Sequence, residues 1–328
     1  MAINIFRVPL FRHSSCVSLN SFLPPLFTAS PPILPRSKFT VSASISSQES
    51  LISSENNYYP YNNMSNIRWK PMCLYFTQDK CTMMEDSTHL HKFNHDFILE
   101  NDGLNTAEYK NKHSGHLDYF LVLDLEGKVE ILEFPVLMID AETTDVVAFF
   151  HRFVRPSEMS EDRINQYIEG KYGKFGVDRV WHDTAIPFNE VIIQFEEWMT
   201  KHNLRSKEVG GPLDRAAFVT CGNWDIKTKI PQQCKVSKMK LPSYFMEWIN
   251  LKDIYLNFYK RRAPGMRTMM NELKIPMLGS HHLGIDDAKN IARVMQRMLA
   301  DGAVLNITAR RSPLVPESVE FLFENRIK

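Results

Sequence analysis

Residues Tyr119 to Asp140 read YFLVLDLEGKVEILEFPVLMID. Two apolar runs flank the polar segment from Asp124 to Lys128. The first predicts a strand over Tyr119 to Leu125 and the second a strand over Val129 to Ile139. Gly127-Lys128 joins them, and Gly at the first position of a two-residue link suits a type II′ turn, so the pair reads as a tight antiparallel hairpin. Val146 to Val154 predicts a third strand, ended by Arg155-Pro156. Helical periodicity follows over Phe188 to Lys201, and Ala216 to Cys221 is a short apolar strand. Further helices are predicted over Asp225 to Gln233, Tyr244 to Lys260, Gly265 to Leu273 and Asp286 to Leu299. Strands first and alternating helices and strands later define an α/β domain with a mixed sheet.

The chain around this domain is uneven. It has 328 residues, with 39 Lys and Arg against 38 Asp and Glu, so any polyanion must be held by local patches. Five cysteines are too few for a disulfide scaffold. No apolar run reaches the roughly 18 residues that a membrane-spanning helix needs. The first 48 residues carry Arg7, Arg12, Arg36 and Lys38 but no acid before Glu49, and are dense in Ser, Thr and Pro. That is the profile of an organelle transit peptide. The abundance of Ser and Pro favours the chloroplast over the mitochondrion, and Val41-Ser42-Ala43 suits a cleavage site. Its removal leaves 35 basic and 38 acidic residues. Residues 49–66 read as a linker, 67–97 as a small Cys/His module, 98–117 as irregular and 312–328 as a tail.

Asp124 and Glu126 lie two apart on a strand, so both carboxylates leave the same face. Acids among apolar residues need a partner; a divalent cation is one, and solvation at a strand end is the bland alternative. Asp225 follows Cys221-Gly222-Asn223-Trp224 at a strand-to-helix junction, where an acid also suits the helix dipole. His281-His282-Leu283-Gly284-Ile285-Asp286-Asp287 opens the last long helix, and two histidine–acid pairs there fit the same spacing. Helical period separates them. Asp287 shares a face with Ile291, Met295 and Met298, while Asp286 shares one with Asn290, Arg293 and Arg297. Asp287 is therefore the inward acid, paired with His282. Asp286 reads as a solvated cap, and His281 as structural or exposed. Four carboxylates suit two Mg²⁺ or Mn²⁺ ions, which activate water and stabilise a leaving oxygen. A histidine of near-neutral pKa can take the water's proton.

These motifs together resemble the DEDDh-type 3′–5′ exonucleases of the ribonuclease H-like fold. More narrowly, the chain is similar to the enhanced-RNAi and histone-mRNA 3′ exoribonuclease branch, in a plant organellar form. The resemblance runs from Tyr119 to about Arg311 and rests on VLDLE (122–126), ILEFPV (131–136), FVRP (153–156), GNWD (222–225), WINLK (248–252) and GIDDAKNIAR (284–293). It implies a mixed five-stranded sheet flanked by helices over residues 118–311. It places the metal ligands on Asp124, Glu126, Asp225 and Asp287 and the general base on His282, with RNA 3′ ends as the partner. The chain departs from the family in its short Gly127-Lys128 link, where a longer insertion is usual. No separate SAP-type helical domain is apparent.

Basic residues offer a path for phosphates. The densest patch is Lys260, Arg261 and Arg262 with Arg267, and Lys227, Lys229, Lys235, Lys238 and Lys240 lie nearby in sequence. Trp224 adjoins a ligand, where an indole either stacks on a terminal base or packs in the core. Cys73, Cys81, His89 and His95 have the spacing of a four-ligand Zn²⁺ site, with Tyr75 and Phe93 as its small core. Cys221 and Cys234 read as buried thiols. The leading reading is a metal-dependent exoribonuclease trimming structured RNA, either ribosomal RNA or small-RNA overhangs. A DNA 3′–5′ exonuclease and a non-catalytic RNA-binding protein of nuclease fold are the alternatives.

Overall fold

A computed structural model describes residues 70–96, 116–205 and 210–326. The expected leader and linker, and residues 97–115, lie outside the described residues. The chain enters the sheet as a meander of β1 (Tyr119–Leu123), β2 (Glu133–Asp140) and β3 (Val146–Arg155), each antiparallel to the last. The two-residue β4 (Ile186–Pro187) lies parallel beside β3. Strands β5 (Ala216–Thr220) and β6 (Glu247–Asn250) then add in parallel on the far side of β1. The final strands, β7 (Ala309–Arg311) and β8 (Val319–Phe321), are antiparallel. The order is β4-β3-β2-β1-β5-β6-β7-β8. Its central five strands are the mixed sheet that the family resemblance implies.

Alternation along β1 assigns its side chains to two cores. Phe120 and Val122 face one layer, built from α3 (Glu161–Tyr172), α4 (Asp178–Thr184), α7 (Leu251–Tyr259), α8 (Met266–Leu273) and α9 (Gly284–Ala300). Leu121 and Leu123 face the other, built from α5 (Phe188–Lys201) and α6 (Ile230–Val236). Both faces of the sheet are covered, so the strand reads as continuously apolar. Two short helices, α1 (Leu74–Thr77) and α2 (Ser87–Lys92), form the Cys/His module.

The structure corrects several expectations. The link between the first strands is not a two-residue turn. A Glu126–Glu133 bridge closes a six-residue return over 127–132, and Ile131 and Leu132 in it are fully buried. Polar anchors compete successfully with the strand ladder here. The Glu130 carboxylate accepts the Ser157 and Glu158 N–H groups at 2.9 Å, the Lys229 ammonium donates to the Lys128 and Val129 carbonyls, and Ile131 N–H donates to Gln233. The predicted helix over Tyr244 to Lys260 divides into β6 and α7, because Trp248 and Ile249 are buried between β5 and β7; a short apolar run does not distinguish strand from helix. Within the described part of the expected tail, residues 312–326, β8 extends the sheet and Phe323 packs on the first core.

The helix expected from Asp225 begins as a wide π-turn over Asp225–Lys229 before α6. Pro231 has no N–H and its ring clashes with the carbonyl four residues back, that of Lys227. The freed Lys227 carbonyl accepts from the Arg311 guanidinium, which also bonds the Ile226 carbonyl at 2.7 Å. Proline and arginine thus reset the helix beside Asp225.

Gly127 has φ +121°, and a Cβ there would lie 2.0 Å from the Glu130 carbonyl oxygen. We expect Gly127→Ala to destabilise the protein by about 2 kcal/mol or more. The denaturation midpoint checks this, and an unchanged midpoint would contradict the return loop described here.

Candidate active site

The acids picked from the sequence meet at the carboxyl end of β1. Asp124 directly follows the strand, Glu126 lies in the bridge to Glu133, and Asp287 sits in the first turn of α9. One oxygen from each of Asp124, Glu126 and Asp287 lies within 4.8 Å of the other two. Asp225 arrives from the end of β5, and its Oδ1 accepts the Leu125 N–H at 3.1 Å. Gly284 lets α9 approach. A Cβ at that position would come within 2.9 Å of the Asp124 carbonyl oxygen and 3.1 Å of the Glu126 and Glu133 side chains.

Carboxylates this close repel one another, and burial adds to the cost of ionising them. Burial pushes Asp124 well above the usual range, and Asp225, Asp287 and Glu126 push it further. Burial lifts Glu126 to about 7 against the opposing pull of Lys171. It lifts Asp225 to about 6 against the Leu125 N–H, and it raises Asp287 against His281. An all-oxygen anionic donor set of this kind fits hard divalent cations such as Mg²⁺ or Mn²⁺.

The two histidines meet Asp287 differently from the sequence expectation. The His281 ring reaches Asp287, with Nδ1 3.0 Å from both carboxylate oxygens. Of the two readings of His281, structural or exposed, this contact is the structural one. His282 touches Asp287 through its backbone N–H at 2.8 Å, and its ring stacks on His281 and faces outward. A φ of +74° at His282 produces this reversal. Burial, and then His281, lower the His282 pKa. Asp286 is not a solvated cap either. It is buried, with its Oδ2 accepting the Ser280 N–H, and Asn290 and Arg293 on the same face bond Leu278 and Pro276. The loop before α9 folds over what reads as a polar face.

Three site residues escaped the sequence reading. Lys171 of α3 pairs with Glu126 at 2.7 Å and donates to the His282 carbonyl. Tyr172 and Ile285 N–H donate to Glu133, a fully buried acid on β2. Ile164, Ile168 and Tyr172 recur at helical spacing, a signal that could have revealed α3. Glu133 lies inside the ILEFPV stretch, but local period gives it no partner; its donors come from α3, α9 and His151 on β3.

Trp224, beside Asp225, is 45% exposed, so it is not a core residue. Lys260 and Arg262 are exposed, and Arg261 pairs with Glu272 at 3.8 Å. Lys252 holds this loop through the Pro264 carbonyl and fills the space beside Gly222. Lys229, by contrast, is buried and holds backbone carbonyls. Of the two thiols expected to be buried, Cys234 is, and Cys221 is partly covered; burial pushes each up to about 12.

In the module, ligand atoms of Cys73, Cys81, His89 and His95 lie within 4.8 Å of one another. The His89 and His95 Nε2 atoms are 3.2 Å apart, and Cys81 Sγ is 3.6 and 3.5 Å from them. A tetrahedron with Zn–N of about 2.05 Å and Zn–S of about 2.3 Å has edges of about 3.3 and 3.6 Å. Phe76, rather than Tyr75, packs on His95, while Phe93 packs on His89 as expected. The Tyr75 hydroxyl instead donates to Asp183 of α4.

The exonuclease family RNase_T matches residues 120–295. The chain is 63% identical over 263 residues to an uncharacterised exonuclease domain-containing protein of Arabidopsis thaliana, spanning 80% of this chain and 78% of that one. It is 32% identical over 212 residues to 3′-5′ exoribonuclease 1 of Rattus norvegicus, spanning 61% of this chain and 58% of that one. Among solved structures, the nuclease domain of 3′hExo, a DEDDh family member bound to rAMP, aligns with a TM-score of 0.50 and 30% identity. That match covers 59% of this chain and 98% of the other. A 3′-exonuclease that recognises the 3′ end of the histone mRNA stem-loop aligns at 0.53 and 26% identity, over 67% and 74%. Fold and site thus define a DEDDh-type 3′–5′ exonuclease, a hydrolase acting on nucleic acid. The chain belongs to the RNase_T exonuclease family.

Glu126 and Asp225 bind protons more tightly folded than unfolded. The stability this contributes is complete at low pH and is lost as pH rises from the ordinary carboxylate range to about 7. A divalent cation bound by these carboxylates would oppose that loss. We expect millimolar Mg²⁺ or Mn²⁺ to raise the thermal midpoint, and by more at about pH 8 than at about pH 5. A midpoint indifferent to both ions at both pH values would argue against this cluster as their site.

Proposed function

We propose that the protein trims RNA 3′ ends in the chloroplast by metal-dependent phosphodiester hydrolysis. Its substrates are structured RNAs, either ribosomal RNA or small-RNA overhangs. The observation that carries the reading is the convergence of Asp124, Glu126, Asp225 and Asp287 at one strand end, faced by two histidines. In this reading the four acids hold two Mg²⁺ or Mn²⁺ ions, which when bound polarise the phosphate and acidify water. His282 takes the proton of the attacking water, and its lowered pKa keeps the ring neutral and able to accept near pH 7. His281 orients Asp287. Lys171 fixes Glu126 and the His282 carbonyl in one contact. The exposed Trp224 stacks on the terminal base, and the loop of Lys260, Arg261 and Arg262 steers the phosphate chain. The water oxygen bonds to phosphorus as the bond from phosphorus to the 3′ oxygen of the preceding nucleotide breaks; that oxygen takes a proton from solvent and becomes the strand's new 3′ hydroxyl, and the terminal nucleoside 5′-monophosphate is released.

RNA is preferred over DNA because 3′-5′ exoribonuclease 1 is among the relatives, and 3′hExo was captured with rAMP. The Cys/His module is read as a Zn²⁺ site on its tetrahedral edge lengths. The chloroplast address rests on the acid-free, Ser- and Pro-rich leader.

Activity on RNA and DNA with 3′ overhangs, with Mg²⁺ or with chelator, tests this reading. Asp225→Ala should abolish cleavage while the fold is retained. His282→Ala should lose on the order of 10²-fold or more, with partial recovery as hydroxide rises. His281→Ala should lose only about tenfold and show no such recovery, because it acts through Asp287. The reverse ranking would transfer the base to His281, and equal cleavage of DNA would remove the RNA assignment.

A fluorescent reporter fused behind residues 1–60 tests the address separately. It should enter plastids, and a cytosolic or secreted reporter refutes the leader.

A further inference from the structure

The Cys/His module is anchored on the nuclease domain through buried polar groups. Thr77, the last residue of α1, and Gln78, directly after it, are both almost fully buried. The Gln78 amide N–H lies 3.0 Å from His151 Nδ1, and the Thr77 hydroxyl lies 2.7 Å from the same atom. Gln78 Oε1 accepts the Phe153 N–H at 2.9 Å, so the amide is held from both ends. His151, on β3, is fully buried, and its Nε2 lies 3.1 Å from Glu133 Oε1. A carboxylate only accepts, so His151 carries a proton on Nε2; the Gln78 amide N–H, with its Oε1 committed to Phe153, donates to Nδ1, while the Thr77 hydroxyl also lies 2.9 Å from the Leu74 carbonyl. The same Glu133 oxygen accepts the Ile285 N–H at 2.8 Å, at the start of α9, two residues before Asp287. Every link is a hydrogen bond between buried groups. Outer contacts flank the chain: Tyr75 donates to Asp183, and Arg152 donates to the Thr77 carbonyl.

We propose that Thr77 and Gln78 are positioning residues for the nuclease reaction, acting through His151 and Glu133 on the α9 turn that carries Asp287. The module is then an internal clamp rather than a separate nucleic-acid finger. The inference rests on the zinc reading only for what holds the module in its docking shape. Buried polar chains of this kind cannot exchange with water when one member is lost, so the defect is transmitted rather than absorbed. Displacement of a ligand-bearing turn by a fraction of an ångström lowers the rate without altering how the substrate strand is gripped.

The test uses the full chain, a 5′-labelled oligoribonucleotide and Mn²⁺. The double variant Thr77→Val, Gln78→Leu should lower kcat about tenfold while KM changes less than about twofold. Calorimetry without RNA should show Mn²⁺ affinity reduced several-fold, a readout independent of turnover. Thr77→Ser, which keeps the hydroxyl, should restore kcat when Gln78 is intact. Cys81→Ser should lose bound zinc and show the same fall in kcat, and combining it with the double variant should add nothing further. Unchanged kcat and Mn²⁺ affinity in a folded, zinc-loaded double variant would overturn the clamp and leave the zinc reading standing. A defective double variant from a wild-type protein without zinc would support the clamp and remove the zinc reading. Additive losses would show that module and relay act separately, and would overturn the clamp.

Discussion

The site depends on one buried contact, in which the Glu133 carboxylate accepts the Ile285 N–H at the start of α9. Hydrogen bonds hold Glu133 ionised at the cost of its burial; the His151 contact lowers its pKa first, and the Gly284 and Ile285 N–H groups add to it. A carboxylate at a helix N-terminus also meets the positive end of the helix dipole. Gly284 completes the contact by leaving no Cβ between the helix and the end of β1. Leaving either partner buried without the other costs a few kcal/mol, enough to move the turn that carries Asp287.

Around this contact, the sheet sets the distances between acids that are remote in sequence. Parallel pairing of β5 with β1 aligns Val122 with Val219, so both strands end on the same side. Asp124 leaves one strand end and Asp225 the other, and the Leu125 N–H joins them. Clustered acids oppose folding through mutual repulsion, and two apolar cores on opposite faces of the sheet offset that repulsion. Local irregularity is concentrated here as well. The π-turn of Asp225, the left-handed His282 and Gly127, and the buried return loop all lie at this end of the sheet. Such departures are common where side chains must be aimed rather than merely packed.

The amino-acid sequence by itself determined four of the five central strands, β1, β2, β3 and β5, through apolar runs that match strand lengths, and the helix α5, through an uninterrupted helical period. It also determined Asp287 as the inward acid, because Ile291, Met295 and Met298 commit that face of α9 to the sheet. Asp124 and Glu126 were legible because strand alternation puts both on one face. Tertiary structure decided what depends on groups far apart in the chain. It buried Asp286 under a loop that sequence periodicity cannot see, and it separated β6 from α7 by placing Trp248 between two strands. It also turned the Gly127 link into an anchored return through Glu130, Lys229 and Gln233. Above all it gave a role to Glu133, an acid inside the ILEFPV stretch whose donors come from α3, β3 and α9. A side chain's partners along one helix or strand follow from local period. Partners across elements follow only from how those elements pack, and the chemistry of this site lies in the second kind.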